Sequence, residues 1–175
     1  MKRLGLLRHA KSDWGESDKR DFDRGLNDRG RRGSKVIGDH IRKHGVKWDK
    51  VIASPAERVK RTLENGLPEL EVEWDKRLYL ASTDTILDVL RECDDGAEAV
   101  LIVGHNPGLG DMVLEMVAPL NENDAFDEAR VKFPTAAYAV FDLEIDSWAE
   151  LRTGTATLTH FKRPRDLDSG LGPEY

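Results

Sequence analysis

Four side chains stand out by type and position: Arg8 and His9 at the end of "LLRH", Arg58 in "VIASPAER", and His105 in "LIVGHNPG". Each follows a short apolar run of the kind that marks a buried strand. An apolar run that ends in a permanent cation and a titratable imidazole delivers charge to the edge of a core. Two arginines offer planar forks that match the oxygens of a tetrahedral anion in bidentate fashion. Two histidines add what arginine cannot supply: a neutral ring nitrogen that attacks, and a protonated ring that donates to a transferring group. That chemistry is phosphoryl binding and transfer.

The elements needed to bring these residues together are legible in the hydrophobic periods. Strands are expected over residues 3–8, 50–53, 71–74, 99–103, 138–143 and 156–161. Helices are expected between them, over residues 28–44, 55–65, 83–92 and 107–118; the last carries the clearest apolar stripe. Strand–helix alternation implies an α/β fold, a single three-layer domain with a mostly parallel sheet and helices on both faces. The last two strands follow one another without a long helix, which predicts one antiparallel edge. Ser54 before Pro55, and Asn106 before Pro107, read as N-caps with proline at the first helical position. Both strands then turn into helices at their carboxyl ends, where ligands bind in open parallel sheets. Arg58 falls in the first turn of its helix, beside amide groups and a partial positive charge. Residues 121–132 read as irregular. The domain is expected to span 1–167, with 168–175 as a loosely held tail.

Composition narrows the function classes. The chain has 175 residues, a net charge of −6 and one cysteine, Cys93. An acidic body argues against a nucleic-acid binder that works by neutralising phosphates. No stretch approaches the length of a membrane span, and no secretory signal is apparent. A lone cysteine excludes an internal disulfide and a cysteine zinc site. A cytoplasmic protein is expected. His40, His44 and His160 read as ordinary surface residues.

The motifs "LLRHAKS", "SPAERVKRT" and "VGHNPG", in that order, resemble the histidine phosphatase (phosphoglycerate mutase-like) superfamily. "RHAKSDW" followed by "DFDRGLNDRGRRG" is similar to its small SixA-type branch, the phosphohistidine phosphatases. The resemblance runs from about Lys2 to Leu167. It implies that His9 is the nucleophile that becomes phosphorylated and that Arg8 and Arg58 bind the phosphoryl oxygens. It implies that His105 donates to the transferring group and that no metal or other cofactor is needed. Ser12, Arg24 and Asn27 match further positions; each has either a place at the pocket mouth or a local role in the turn and loop.

One departure bears on the substrate. Ala81, in "KRLYLASTDTILDV", stands where related small members often carry an acid, and Asp84 reads as a first-turn helix residue. Without a proton donor for an alkoxide, a phosphoramidate is the better substrate, because imidazole leaves more readily. The expected partner is therefore a phosphohistidine-bearing protein. The alternatives are a small phosphorylated metabolite, a phosphate-binding regulatory domain without turnover, and a metal hydrolase built on His9, His105 and Asp13.

Overall fold

A computed structural model describes residues 1–15 and 18–172. Its sheet has six strands: β1 (Lys2–Arg8), β2 (Lys50–Ala53), β3 (Glu73–Trp74), β4 (Ala99–Gly104), β5 (Tyr138–Leu143) and β6 (Thr157–Lys162). They lie in the order β3-β2-β4-β1-β5-β6. β1, β2, β3 and β4 pair in parallel, whereas β5 runs antiparallel to both β1 and β6. Five strands therefore share one direction, and the antiparallel character sits at one edge, as the missing helix between β5 and β6 predicts.

Six helices complete the described structure: α1 (Asp28–His44), α2 (Glu57–Gly66), α3 (Thr83–Arg91), α4 (Gly108–Met116), α5 (Asp124–Ala129) and α6 (Pro164–Leu167). Alternating residues of β1 feed two cores. Leu4 and Leu6 join the cluster under α3, α4 and α5, while Leu7 joins the cluster under α1 and α2. β4 is buried along its whole length, as expected for a central parallel strand covered on both faces. Its neighbours β2 and β1 are held in register, with Ala53 opposite Val103 and Arg8 opposite Gly104. The carboxyl ends of β2, β4 and β1 thus lie side by side, and so do Ser54, His105 and His9, which follow them.

Several boundaries differ from the sequence expectation. β3 is only two residues long and exposed; it has a ladder partner on one side only, so its apolar pattern is weak. Residues 121–132, expected to be irregular, contain α5, capped by the Asn123 side chain accepting from the Phe126 amide at 2.9 Å. The polar sequence there hides one buried aromatic, Phe126, that anchors the turn. Within the expected tail, residues 168–172 fold as a 3-10 turn over Ser169–Leu171, tied to α1 by an Arg32–Asp168 ion pair. Residues 173–175 lie outside the described residues. No helix among the described residues is long and apolar enough to cross a membrane.

Candidate active site

The chain leaves β1 at Arg8 and turns with His9. The His9 amide donates to the Gly104 carbonyl (3.1 Å), and the Ala136 amide donates to the His9 carbonyl (2.9 Å), so the backbone of the turn is fixed on both sides. Residues 11–13 then pair with residues 25–27 through Asn27 N–Lys11 O, the Ser12–Leu26 bridge and Asp13 N–Gly25 O. Asn27 caps α1 by accepting from the Gly30 amide at 2.8 Å. Gly30 is required here, because a Cβ would run into the Lys11 carbonyl. This clasp docks the N-terminus of α1 against the turn that carries His9.

His9 is buried, and its Nδ1 lies 2.7 Å from the Ala10 carbonyl oxygen. A carbonyl only accepts, so Nδ1 carries the proton and Nε2 keeps its lone pair. Burial, with the charges of Arg8, His105 and Arg58 acting in the same direction, pushes the ring down to about 3 despite the Ala10 bond. The imidazole is therefore neutral at physiological pH. The His105 ring lies 5.2 Å from the His9 ring, centroid to centroid. It too is buried and held down to about 4, by desolvation first and then by the Arg58 cation.

His105 Nε2 sits 2.8 Å from Ser54 Oγ. Ser54 was expected to cap a helix starting at Pro55. The helix instead begins at Glu57, and the buried Ser54 hydroxyl accepts only a 3.3 Å contact from the Ala56 amide. Where the hydroxyl donates to His105 Nε2 the imidazole proton sits on Nδ1, and where it accepts the proton sits on Nε2. That buried Nδ1 makes no hydrogen bond among the described residues. Asn106 likewise stands further from its helix than expected. α4 starts at Gly108, yet Asn106 Oδ1 still accepts from Gly110 N (3.1 Å) while its amide donates to Phe133 O (2.8 Å).

Arg58 is in the first turn of α2, as expected, and is buried. It donates to the Asp21 carbonyl (2.8 Å) and carboxylate (3.0 Å). Tyr79 Oη donates to the same carboxylate at 2.5 Å, and the Tyr79 ring meets His105 edge-on at 5.4 Å. Partial burial opposes ionisation of Asp21, but the Tyr79 and Arg58 bonds outweigh it and hold the acid below its usual range. Asp21 and Tyr79 have no role in the sequence reading, and Ser54 enters it only as a helix cap. Ser54 lies in "SPAER" and Tyr79 beside the "LAS" stretch, but nothing in their spacing shows that they face a histidine or an arginine. Arg8 Nη1 donates to the Phe133 carbonyl at 3.2 Å, while its buried Nε has no partner among the described residues.

The weaker candidates separate. Asn27 has the capping role described above. Ser12 is buried in the clasp. Arg24 is buried and lays its guanidinium over the Trp14 ring at 4.2 Å. Ala81 belongs to the apolar core, and its carbonyl lies where a Cβ on Gly108 would be, so α4 closes directly over it. Asp84 is exposed in the first turn of α3. Among the described residues, no group of three His, Cys, Asp or Glu is placed to hold a metal ion. The surface reading is corrected for two of the other histidines: His40 and His160 are half-buried with Nε2 atoms 2.8 Å apart, whereas His44 is exposed, as expected, and stacks on His160 at 3.8 Å.

The arrangement resembles known proteins. The sequence profile of the histidine phosphatase superfamily (branch 1) matches residues 4–81. An uncharacterised protein of Mycobacterium leprae is 33% identical over 162 residues, covering 91% of this chain and all of that one. A Nakamurella multipartitia structure, assigned as the phosphohistidine phosphatase SixA, superposes with a TM-score of 0.82 at 31% identity, covering 93% of this chain and 96% of that one. A second assigned SixA structure, from Agrobacterium tumefaciens, gives 0.75 at 27% identity over 93% and 98% of the two chains. This chain therefore belongs to the histidine phosphatase superfamily, in its SixA-type branch, and is a hydrolase of the phosphatase kind.

Proposed function

We propose that the chain is a cytoplasmic phosphohistidine phosphatase that works through a phosphorylated His9 without a metal. The observation that carries this is the fixed tautomer of His9: a neutral imidazole whose Nδ1 is committed to Ala10, beside two guanidinium groups. In the first step the Nε2 lone pair attacks phosphorus in line. A P–Nε2 bond forms while the P–N bond to the substrate imidazole breaks; the electron pair leaves with that ring, which already carries a proton on its other nitrogen and so departs as neutral imidazole. Arg8 and Arg58 bind the phosphoryl oxygens, and the Nδ1–H of His105 donates to them, so negative charge is met by groups already in place. In the second step water attacks phosphorus, the P–Nε2 bond breaks, and phosphate leaves with His9 neutral again.

Support for a nitrogen leaving group comes from the pocket's acids. Ala81 supplies none, and Asp21 is held ionised by Arg58 and Tyr79, a poor donor for an alkoxide. A small phosphorylated metabolite is the alternative substrate. Comparison of turnover on a phosphohistidine peptide with turnover on an alkyl phosphate tests the reading: a clear preference for the peptide is expected, and preference for the alkyl ester overturns it. Rapid quench during turnover should trap acid-labile phosphate on the wild-type protein and none on His9→Ala. Acid-stable phosphate in its place would exclude the histidine intermediate.

A further inference from the structure

Beside the His9 turn, a cavity of about 280 Å³ is walled by Lys11, Arg29, Lys132, Arg163 and Arg165, and no Asp or Glu lines it among the described residues. On a chain of net charge −6, five cations around one hollow are a local inversion of the molecule's field. Lys11, Lys132 and Arg165 are exposed, and none of the three enters a salt bridge among the described residues. Arg163 is steadied by Asp166 (2.9 Å) and Glu128 (3.9 Å), and Arg29 donates to the carbonyls of Gly170 and Gly172. The cations are thus partly fixed and partly free to meet a ligand.

The cavity and the catalytic turn share a wall. Ala10 and Lys11 follow His9 directly, and Ala136, whose amide holds the His9 carbonyl, lines the cavity with Pro134 and Thr135. Arg163 to Arg165 follow the end of β6, which lies two places from β1 in the sheet. With strands about 4.8 Å apart, the basic rim is on the order of 10 Å from His9. An extended peptide covers that in about three residues at roughly 3.3 Å each.

We propose that this cavity is a docking subsite for acidic side chains that lie about three residues from the phosphohistidine in a protein substrate. The inference rests on the phosphohistidine reading and adds a substrate class to it: phosphoproteins whose reactive histidine has carboxylates nearby. Attraction at the rim offsets the repulsion that the acidic body exerts on such a partner, so binding is sensitive to ionic strength.

Two histidine-phosphorylated peptides, identical except for Glu or Gln three positions either side of the histidine, make the test. The wild type should show about a tenfold lower KM for the Glu peptide at low salt, lost at high salt. The charge-reversed double variant Lys132→Glu/Arg165→Glu should lose that preference and hydrolyse phosphoramidate at the wild-type rate. Equal kcat/KM on the two peptides, or an equal loss on both peptides and phosphoramidate, overturns the inference. If neither peptide is hydrolysed, the phosphohistidine reading fails and docking is decided separately. Fluorescence anisotropy of a labelled, unphosphorylated Glu peptide should show about tenfold tighter binding to the wild type than to the variant. Equal binding to both, or tighter binding of a thymidine oligomer of equal charge, overturns the subsite.

Discussion

Two groups of histidines face different fates in this molecule. His9 and His105 stand at the carboxyl edge of the sheet; His40, His44 and His160 stack between α1 and β6. Burial lowers the pKa of all five, to about 3 and 4 in the first group and to about 4 for His160 in the second. A depressed pKa therefore does not separate the histidines proposed for catalysis from the packed ones. The hydrogen bonds do. His9 gives its Nδ1 proton to a backbone carbonyl and keeps Nε2 unused, whereas His40 and His160 spend their Nε2 atoms on each other. Cations flank both groups, but only at the sheet edge are they guanidinium forks around a turn, and there the Asp21 carboxylate opposes them at His105.

The largest effect expected from this contrast is at His9. His9→Ala should lower turnover by roughly 10⁴-fold or more, since loss of a nucleophile removes the whole pathway, while phosphate binding measured by calorimetry persists. Wild-type turnover by this variant would break the comparison outright. Next is Arg58→Lys, expected to cost roughly 10²-fold in kcat/KM, because a point charge reproduces neither the fork nor the two bonds to Asp21. A loss under threefold would mean that charge alone suffices. Ser54→Ala should cost about tenfold by freeing the tautomer of His105, and Ser54→Thr, which keeps a hydroxyl, should restore most of it. Failure of threonine to rescue, with the fold intact, would reduce Ser54 to packing.

The positions of Arg8, His9 and His105 were legible in the sequence because each stands at the end of an apolar strand, and that of Arg58 because the helix carrying it follows such a strand directly; parallel sheets put those ends together. α1 and β5 were read to their exact bounds, for the same reason: a long one-sided stripe and a run buried on both faces leave little ambiguity. The missed contacts are of another kind. Asp21 lies 37 positions from Arg58 and 58 from Tyr79, and reaches them only because the 11–13 and 25–27 segments clasp and fold the intervening loop back over α2. No period in the sequence reports that. Ser-Pro before a helix is a capping signal, but the Ser54 hydroxyl meets His105 instead, because its use depends on the strand next door. α5 was missed because its one buried aromatic is embedded in acids. His40 and His160 looked like surface residues because α1 and β6 meet only in three dimensions.

The smallest effect on catalysis, with an effect on stability in its place, belongs to His160. Its folded pKa of about 4 lies below the value near 6.5 of an unfolded imidazole. Between those two values the unfolded chain binds more protons, so stability is fully present above about pH 6.5 and is lost as the pH falls toward 4. Desolvation is the main cause, and the neighbouring groups with charge to add, His40, His44 and Lys162, all oppose protonation. His160→Gln cannot titrate. It should therefore flatten the fall in unfolding free energy across this window, measured by urea denaturation at successive pH values, and leave kcat/KM within twofold at pH 7. His105 and His9 also titrate low, so part of the slope must survive in the variant. If the slope were unchanged, the acid sensitivity would lie with the other four histidines; if kcat/KM fell tenfold, the two histidine groups would be coupled through α1 rather than separate.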